Sequence, residues 1–190
     1  MPLVFALLLS WALNNSTVAT MGTNMKISAK STMYSLERQR VLEEYGAYLQ
    51  AAEGVPGGVL AEPLFCVAST ATLSEAAKKA LASSAAALGY GAETCFFVVA
   101  GADPALSPTQ FFRLVEGIDP LALVIADTVT QQLASAAYRT AEGPRMLQAD
   151  AAQRILGRNA VVFSNFEDLL TTPAKKQQAW ALLKKLPKLG

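Results

Sequence analysis

Four short apolar runs occur along the chain, and each is followed by residues that favour the start of a helix. The runs cover residues 64–68, 95–100, 121–126 and 159–163. Continuous apolar runs are typical of strands buried on both faces, and their alternation with helices favours parallel pairing through crossovers. The sequence therefore predicts an α/β fold, a three-layer α/β/α sandwich around a mainly parallel four-stranded sheet.

Helix starts can be predicted from pairs of capping residues three positions apart. These pairs are Thr72 with Glu75, Ser107 with Gln110, Thr128 with Gln131, and Ser164 with Glu167. Thr172 before Pro173 predicts one more helix start, because proline suits the first helical turn. An amphipathic helix is expected over residues 35–53, and residues 151–156 form either one helical turn or an additional edge strand.

The N-terminal region differs from the rest of the chain. Residues 3–13 form an apolar run that is too short to cross a membrane, and no Lys or Arg precedes it. We therefore interpret residues 1–33 as a leader or disordered segment, consistent with a misassigned start codon, and residues 34–190 as a single α/β domain. No membrane association is expected.

The composition limits the chemistry that is open to the protein. Among its 190 residues there is no histidine, which excludes Ser-His-Asp and Cys-His activation and imidazole proton transfer. Cys66 and Cys95 fall within predicted strands and lack metal-ligand spacing, so we expect buried, reduced thiols in a cytoplasmic protein. Neither a metal nor a cofactor is expected.

Polar side chains follow the ends of the predicted strands, where open α/β sheets bind ligands. Free N–H groups at helix starts suit phosphate or carboxylate there. Helix capping alone is the competing explanation for all of these side chains. Asp127 stands out because Thr128 already suffices as the predicted cap beside it. The candidate ligand-binding residues are Ser69, Thr70, Asp103, Asp127, Thr128, Ser164 and Asn165.

Basic residues supply two further candidate surfaces. Arg154 and Arg158 could hold an anion between them. From residue 175 to the end there are five lysines and no acid, although the whole chain carries a net charge of only +1. This lysine set is either a solvated helix face or a contact surface for nucleic acid or a protein partner. The candidate contact residues are Lys175, Lys176, Lys184 and Lys185.

Over residues 60–186, the order of the predicted elements and the C-terminal motif resemble those of the psi subunit family of the bacterial replicative clamp loader, which shares its fold with the uracil-DNA glycosylases. The matching positions are Gly157, Val161–Ser164, Leu169–Leu170, Thr172–Pro173, Gln178–Trp180 and Leu183. The resemblance implies a strand order of 2-1-3-4 and a non-enzymatic protein. Residues 69–72 and 164–165 stand where glycosylases carry a water-activating Asp or Asn and a histidine, so glycosylase activity is not expected.

Two functional hypotheses follow. The first is a non-catalytic α/β adaptor that binds a protein partner, associated with DNA replication or repair. The alternative is a small enzyme or nucleotide- or phosphate-binding domain that uses the crevice at the strand carboxyl ends, with Asp127 as base or ligand. We expect no catalytic activity under the first hypothesis.

Overall fold

The computed structural model describes residues 36–51, 64–139 and 146–189. The coordinates divide into two compact units, Met1–Arg40 and Val41–Gly190. In the first unit the described residues 36–40 are helical. The predicted leader over residues 1–33 lies outside the described residues. Across the described ranges, none of the helices combines the length and the apolar character that a bilayer crossing requires.

The second unit begins with helical residues 41–44 (α1) and continues as an alternation of strands and helices. Three short 3-10 turns, Gly46–Tyr48, Ala92–Thr94 and Asp168–Leu170, lie between the longer elements. The longer elements are β1 (Leu49–Ala51), β2 (Phe65–Ser69), α2 (Glu75–Ala87), β3 (Cys95–Val99), α3 (Pro108–Ile118), β4 (Ala122–Ile125), α4 (Thr128–Ala137), β5 (Ala151–Ile155), β6 (Arg158–Val162) and α5 (Pro173–Leu183).

The sheet is six-stranded and mixed, with the order β1-β3-β2-β4-β6-β5. Its four central strands are parallel and match the four apolar runs, in the order 2-1-3-4. The antiparallel strands β1 and β5 extend it at both edges. The α/β class is therefore confirmed, whereas the prediction of a four-stranded sheet is wrong.

Strand β1 replaces the second half of the helix predicted over residues 35–53. The α-helical residues end at 44, next to Gly46, whose helix propensity is low. Leu49 then pairs with Val98 of β3. The Tyr48 hydroxyl donates to the Pro104 carbonyl at 2.7 Å, which ties this segment to the loop after β3. Long-range contacts thus outweigh the local helical periodicity.

Helices cover both faces of the sheet, which gives the predicted three layers. One apolar core contains side chains of α1, α3 and α4, and the other contains side chains of α2 and α5. Cys66 belongs to the first core and Cys95 to the second, so the two thiols lie on opposite faces. Both are free and buried, as predicted, and burial raises the pKa of Cys95 to about 12.

Two of the predicted helix starts are confirmed and three are wrong. Ser107 and Gln110 form a capping box, and Thr172 caps α5. Helix α2, however, is capped by Ser74 rather than Thr72, and α4 by Asp127 rather than Thr128. The pair Ser164 and Glu167 starts no α-helix; a 3-10 turn follows over Asp168–Leu170.

Strands β5 and β6 form a hairpin, so residues 151–155 are the edge strand rather than the helical turn. Its two-residue loop consists of Leu156 and Gly157, with φ of 45° and 85°. Positive φ at both positions defines a type I′ turn, for which Asn-Gly is the preferred pair. Leucine is therefore a poor residue at position 156, where its side chain is exposed.

Leu156→Asn is expected to raise the free energy of unfolding by about 0.5–1 kcal/mol, because asparagine tolerates the left-handed conformation better than leucine does. Urea denaturation followed by circular dichroism measures the change. Gly157→Ala is the matched control and should lower stability by about 1 kcal/mol, since its φ is also positive. A less stable Leu156→Asn variant would contradict this description of the turn.

Candidate functional site

A crevice of about 370 Å³ lies at the carboxyl ends of the central parallel strands. Strand β3 lies on one side of β2 and β4 on the other, so the strand order reverses between β2 and β4. Ligands of open α/β sheets bind at such a position. Five of the seven candidate ligand-binding residues line the crevice: Thr70, Asp127, Thr128, Ser164 and Asn165.

The other two candidates lie elsewhere. Ser69 is the last residue of β2 and is only 1% exposed. Its hydroxyl donates to the Ala71 carbonyl at 2.8 Å, which leaves it with a local structural role. Asp103 is exposed in the segment between β3 and α3 and is not among the residues that line the crevice. The structure therefore does not bring these two side chains to the site.

Asp127 connects the ends of two neighbouring strands. Its Oδ2 accepts a hydrogen bond from the Thr70 N–H at 2.6 Å, and its Oδ1 accepts one from the Thr70 hydroxyl at 2.6 Å. Oδ1 also accepts from the Thr130 N–H at 2.8 Å, which caps α4. Thr130 completes the cluster, with its hydroxyl 3.1 Å from that of Thr70. Both carboxylate oxygens are therefore bound within the protein.

The pKa of the Asp127 carboxyl lies below its ordinary value. Partial burial acts to raise this pKa, but hydrogen bonds from Thr130 and Thr70 to the charged form lower it by more. A general base that works near neutral pH requires the opposite shift. The hydrogen bonds to Asp127 therefore stabilise its charged form.

Thr128, which the sequence predicts as the cap of α4, has a different role. It is the first residue of the helix, and its hydroxyl donates to the Ser164 carbonyl at 3.0 Å. This contact joins the start of α4 to the segment that follows β6. Asp127 is therefore not a spare side chain beside a Thr128 cap, as predicted, since Asp127 is itself the cap of α4.

Glu167 lines the crevice and was not among the predicted site residues. Its two carboxylate oxygens accept from the Ser74 N–H at 2.7 Å and from the Ser74 hydroxyl at 2.8 Å. The pair is separated by 93 positions in sequence, so no local spacing could have revealed it. Glu167 consequently places a negative charge at the N-terminus of α2.

The electrostatics of the crevice do not suit an anion. Helix N-termini attract anions through their free N–H groups and partial positive charge. Here Asp127 at α4 and Glu167 at α2 already fill that role, and the residues that line the crevice include no Lys or Arg. A phosphate would therefore meet two carboxylates and no basic side chain.

Arg158 is held by internal partners. Its guanidinium contacts Glu116 at 2.6 Å and Asp119 at 2.8 Å, and its Nε donates to the Pro120 carbonyl at 2.6 Å. Burial acts to lower the pKa of this guanidinium, but the hydrogen bonds that it donates to Glu116 and Asp119 raise the pKa overall. Arg154 instead donates to the Gly157 carbonyl in the hairpin. The guanidinium of Arg158 is therefore not free to hold an anion together with Arg154, as the sequence had suggested.

The candidate lysines lie on α5 and just beyond its end. Lys175 forms an ion pair with Asp168 at 2.8 Å. Lys184 lies 5.9 Å from the ring centre of Trp180. Lys176 and Lys185 are exposed. None of these side chains is among the residues that line the crevice.

No family model, curated protein or solved structure matches this chain. Within the described ranges, no group of three or more His, Cys, Asp or Glu side chains could hold a metal ion. The functional argument therefore depends on the geometry of the side chains themselves.

Proposed function

We propose that the protein is a non-catalytic α/β adaptor that binds a protein partner. The observation that carries this proposal is the bonding of Asp127, the most plausible base at the strand ends. Its carboxylate accepts three hydrogen bonds from Thr70 and Thr130, at distances of 2.6–2.8 Å. These bonds stabilise the charged carboxylate and so oppose proton uptake by Asp127.

The second acid in the crevice supports the same proposal. Glu167 binds both the N–H and the hydroxyl of Ser74 and so holds α2 against the segment after β6. The carboxylates of Asp127 and Glu167 both accept hydrogen bonds from N–H and hydroxyl groups of the protein, which favours a structural role for both.

The class of partner is proposed from the resemblance to the psi subunit family. We propose that the partner is a protein of the DNA replication or repair machinery and that the two proteins meet in the cytoplasm. The core of this chain would then be of the uracil-DNA glycosylase type, extended by two edge strands. The order of the four central strands is the order that this resemblance implies. The two reduced, buried thiols agree with a cytoplasmic protein.

Affinity capture tests this version of the proposal. The full chain, immobilised and mixed with purified bacterial clamp-loader subunits, is expected to retain at least one of them. Arg139→Glu, a charge reversal on an exposed residue just after α4, serves as a surface control that should retain the same subunit. Capture of none of the subunits would contradict an association with the clamp loader.

The alternative, a nucleotide- or phosphate-binding domain, predicts ligand-induced stabilisation. A ligand present at 100 times its dissociation constant stabilises the folded state by about 2.7 kcal/mol. We expect nucleoside mono-, di- and triphosphates to leave the thermal midpoint unchanged, because Asp127 and Glu167 repel anions from the crevice. A nucleotide that raises the midpoint, with loss of the effect in Asp127→Asn, would favour the alternative over the adaptor.

A further inference from the structure

A second groove, of about 270 Å³, runs between α2 and α5 on one face of the sheet. Helix α2 contributes the small side chains of Ala76, Ala80 and Ser84 to its wall. Helix α5 contributes larger ones, among them Lys176, Trp180 and Leu183. The two helices therefore flank a channel with a mostly apolar lining, which we call the α2/α5 groove.

The groove is open because the two helices are unequal in side-chain size. Positions 76, 80 and 84 lie on one face of α2 at a spacing of four residues, and none of them carries a side chain larger than serine. Trp180 faces them from α5 and is only partly buried. A partly exposed indole beside small side chains leaves room for an additional large apolar side chain.

The rim of the α2/α5 groove on the α5 side is basic. The chain carries five lysines and no acid from residue 175 onward. Lys176 lines the groove, and Lys184 lies 5.9 Å from the ring centre of Trp180. Within the part of the chain that the structure describes, Lys175 is paired with Asp168, whereas no carboxylate forms an ion pair with Lys176 or Lys184.

We propose that the α2/α5 groove binds an acidic, amphipathic segment of a partner protein. One large apolar side chain of that segment packs against Trp180, and flanking carboxylates pair with Lys176 and Lys184. This inference rests on the proposed adaptor function and names the chemistry of its partner. An apolar channel with a charged rim is the pattern by which grooves recognise amphipathic helices.

The groove favours a protein segment over nucleic acid. Phosphate-driven binding needs an extended basic surface, but the whole chain has a net charge of only +1. Asp168 already pairs with Lys175, which removes one of the lysines from a continuous basic surface. An apolar side chain also uses the groove floor, which a phosphate backbone cannot.

Peptide binding to the full chain tests the proposal. Trp11→Phe leaves Trp180 as the single tryptophan and therefore as the fluorescent reporter. The probe is a synthetic 16-residue peptide with Leu and Phe at helical spacing and with Asp and Glu at the flanking positions. Its counterpart carries Lys in place of each acid. We expect the acidic peptide to shift Trp180 emission to shorter wavelength and to bind at least tenfold more tightly than the basic one.

Three variants assign the binding to the groove. Lys176→Glu combined with Lys184→Glu should weaken binding of the acidic peptide at least tenfold. Ala76→Leu, a substitution at an exposed position on the groove wall, should weaken peptide binding by a similar factor, because the larger side chain occupies the groove. Arg139→Glu reverses the same kind of charge just after α4, on the opposite face of the sheet, and should change binding less than twofold.

Two results with the peptides would overturn the proposal: no binding of the acidic peptide, or equally tight binding of the basic one. The proposal also falls if the lysine reversals leave peptide binding unchanged, or if duplex DNA displaces the acidic peptide. A dimer that these reversals dissociate would assign the groove to a second copy of the chain instead. If the peptides fail while a clamp-loader subunit is still captured, the adaptor function stands and only the groove assignment falls.

Discussion

Arg158→Ala is expected to lower the free energy of unfolding by about 3–5 kcal/mol, because removing one partner leaves the other charge without compensation in a largely buried site. The Arg158 side chain is only 7% exposed, and that of Glu116 is 27% exposed. Among the described residues, the side-chain partner that Glu116 would keep is the Tyr138 hydroxyl, which donates to it at 2.7 Å. Chemical denaturation followed by far-ultraviolet circular dichroism measures the loss.

The expected effect is large because Arg158 joins several elements. It contacts Glu116 on α3, Asp119 at the C-terminal cap of that helix and the Pro120 carbonyl before β4, while Arg158 itself begins β6. Through Glu116 it is also coupled to Tyr138 at the end of α4. Loss of the guanidinium therefore removes contacts that hold α3 and the segment before β4 to strand β6.

Two controls separate the buried pair from general surface effects. Arg154→Ala removes an exposed arginine from the neighbouring strand and should change stability by less than about 0.5 kcal/mol. Arg158→Met with Glu116→Gln should be more stable than Arg158→Met alone, since the partly buried carboxylate of Glu116 is then replaced by a neutral amide. An Arg158→Ala variant as stable as Arg154→Ala would show that the ion pair is unimportant.

Asp127→Ala is expected to destabilise the protein by about 2–4 kcal/mol at neutral pH, as it removes a helix cap and hydrogen bonds to a charged group. The lost contacts are those with Thr70 and Thr130, which join β2 to α4. Asp103→Ala is the matched control: its carboxylate is exposed and lies outside the crevice, so little change is expected.

The contribution of Asp127 depends on pH in a definite direction. Its pKa is lower in the folded protein than its ordinary value. The stability that it confers is therefore present above the unfolded-state pKa and is lost as the pH falls through the folded-state pKa. The difference in stability between the parent and Asp127→Asn should narrow on acidification below about pH 4. A difference that grows on acidification would contradict the assignment.

The parallel part of the sheet could be predicted because buried parallel strands produce a recognisable local pattern in the sequence. Each central strand is an unbroken apolar run, and Ser107 and Gln110 cap α3 with side chains three residues apart. No such local pattern distinguishes strand β1 in the sequence. Its pairing with β3 joins residues almost 50 positions apart, and its sequence also fits a helical period. Nonlocal hydrogen bonding decided that segment.

The position of the crevice could be predicted from the sequence, but the roles of the side chains that line it only in part. Strand ends fixed where the crevice would lie, and five candidate residues line it. The role of Asp127 was missed because the sequence does not reveal which of two adjacent polar residues has the extended backbone of a cap; Asp127 does. The partners of Glu167 and Arg158 lie 93 and 42 positions away, beyond the reach of spacing rules.

A titration of the Asp127 carboxyl carbon by NMR distinguishes an internal helix cap from a catalytic base, because the two differ in pKa. Asp127→Asn identifies the resonance. We expect a midpoint below that of an ordinary aspartate, with no change on addition of nucleotides. A midpoint above the ordinary value, or one that moves when a nucleotide is added, would contradict the role of Asp127 as an internal cap and would favour ligand binding or catalysis at the strand ends.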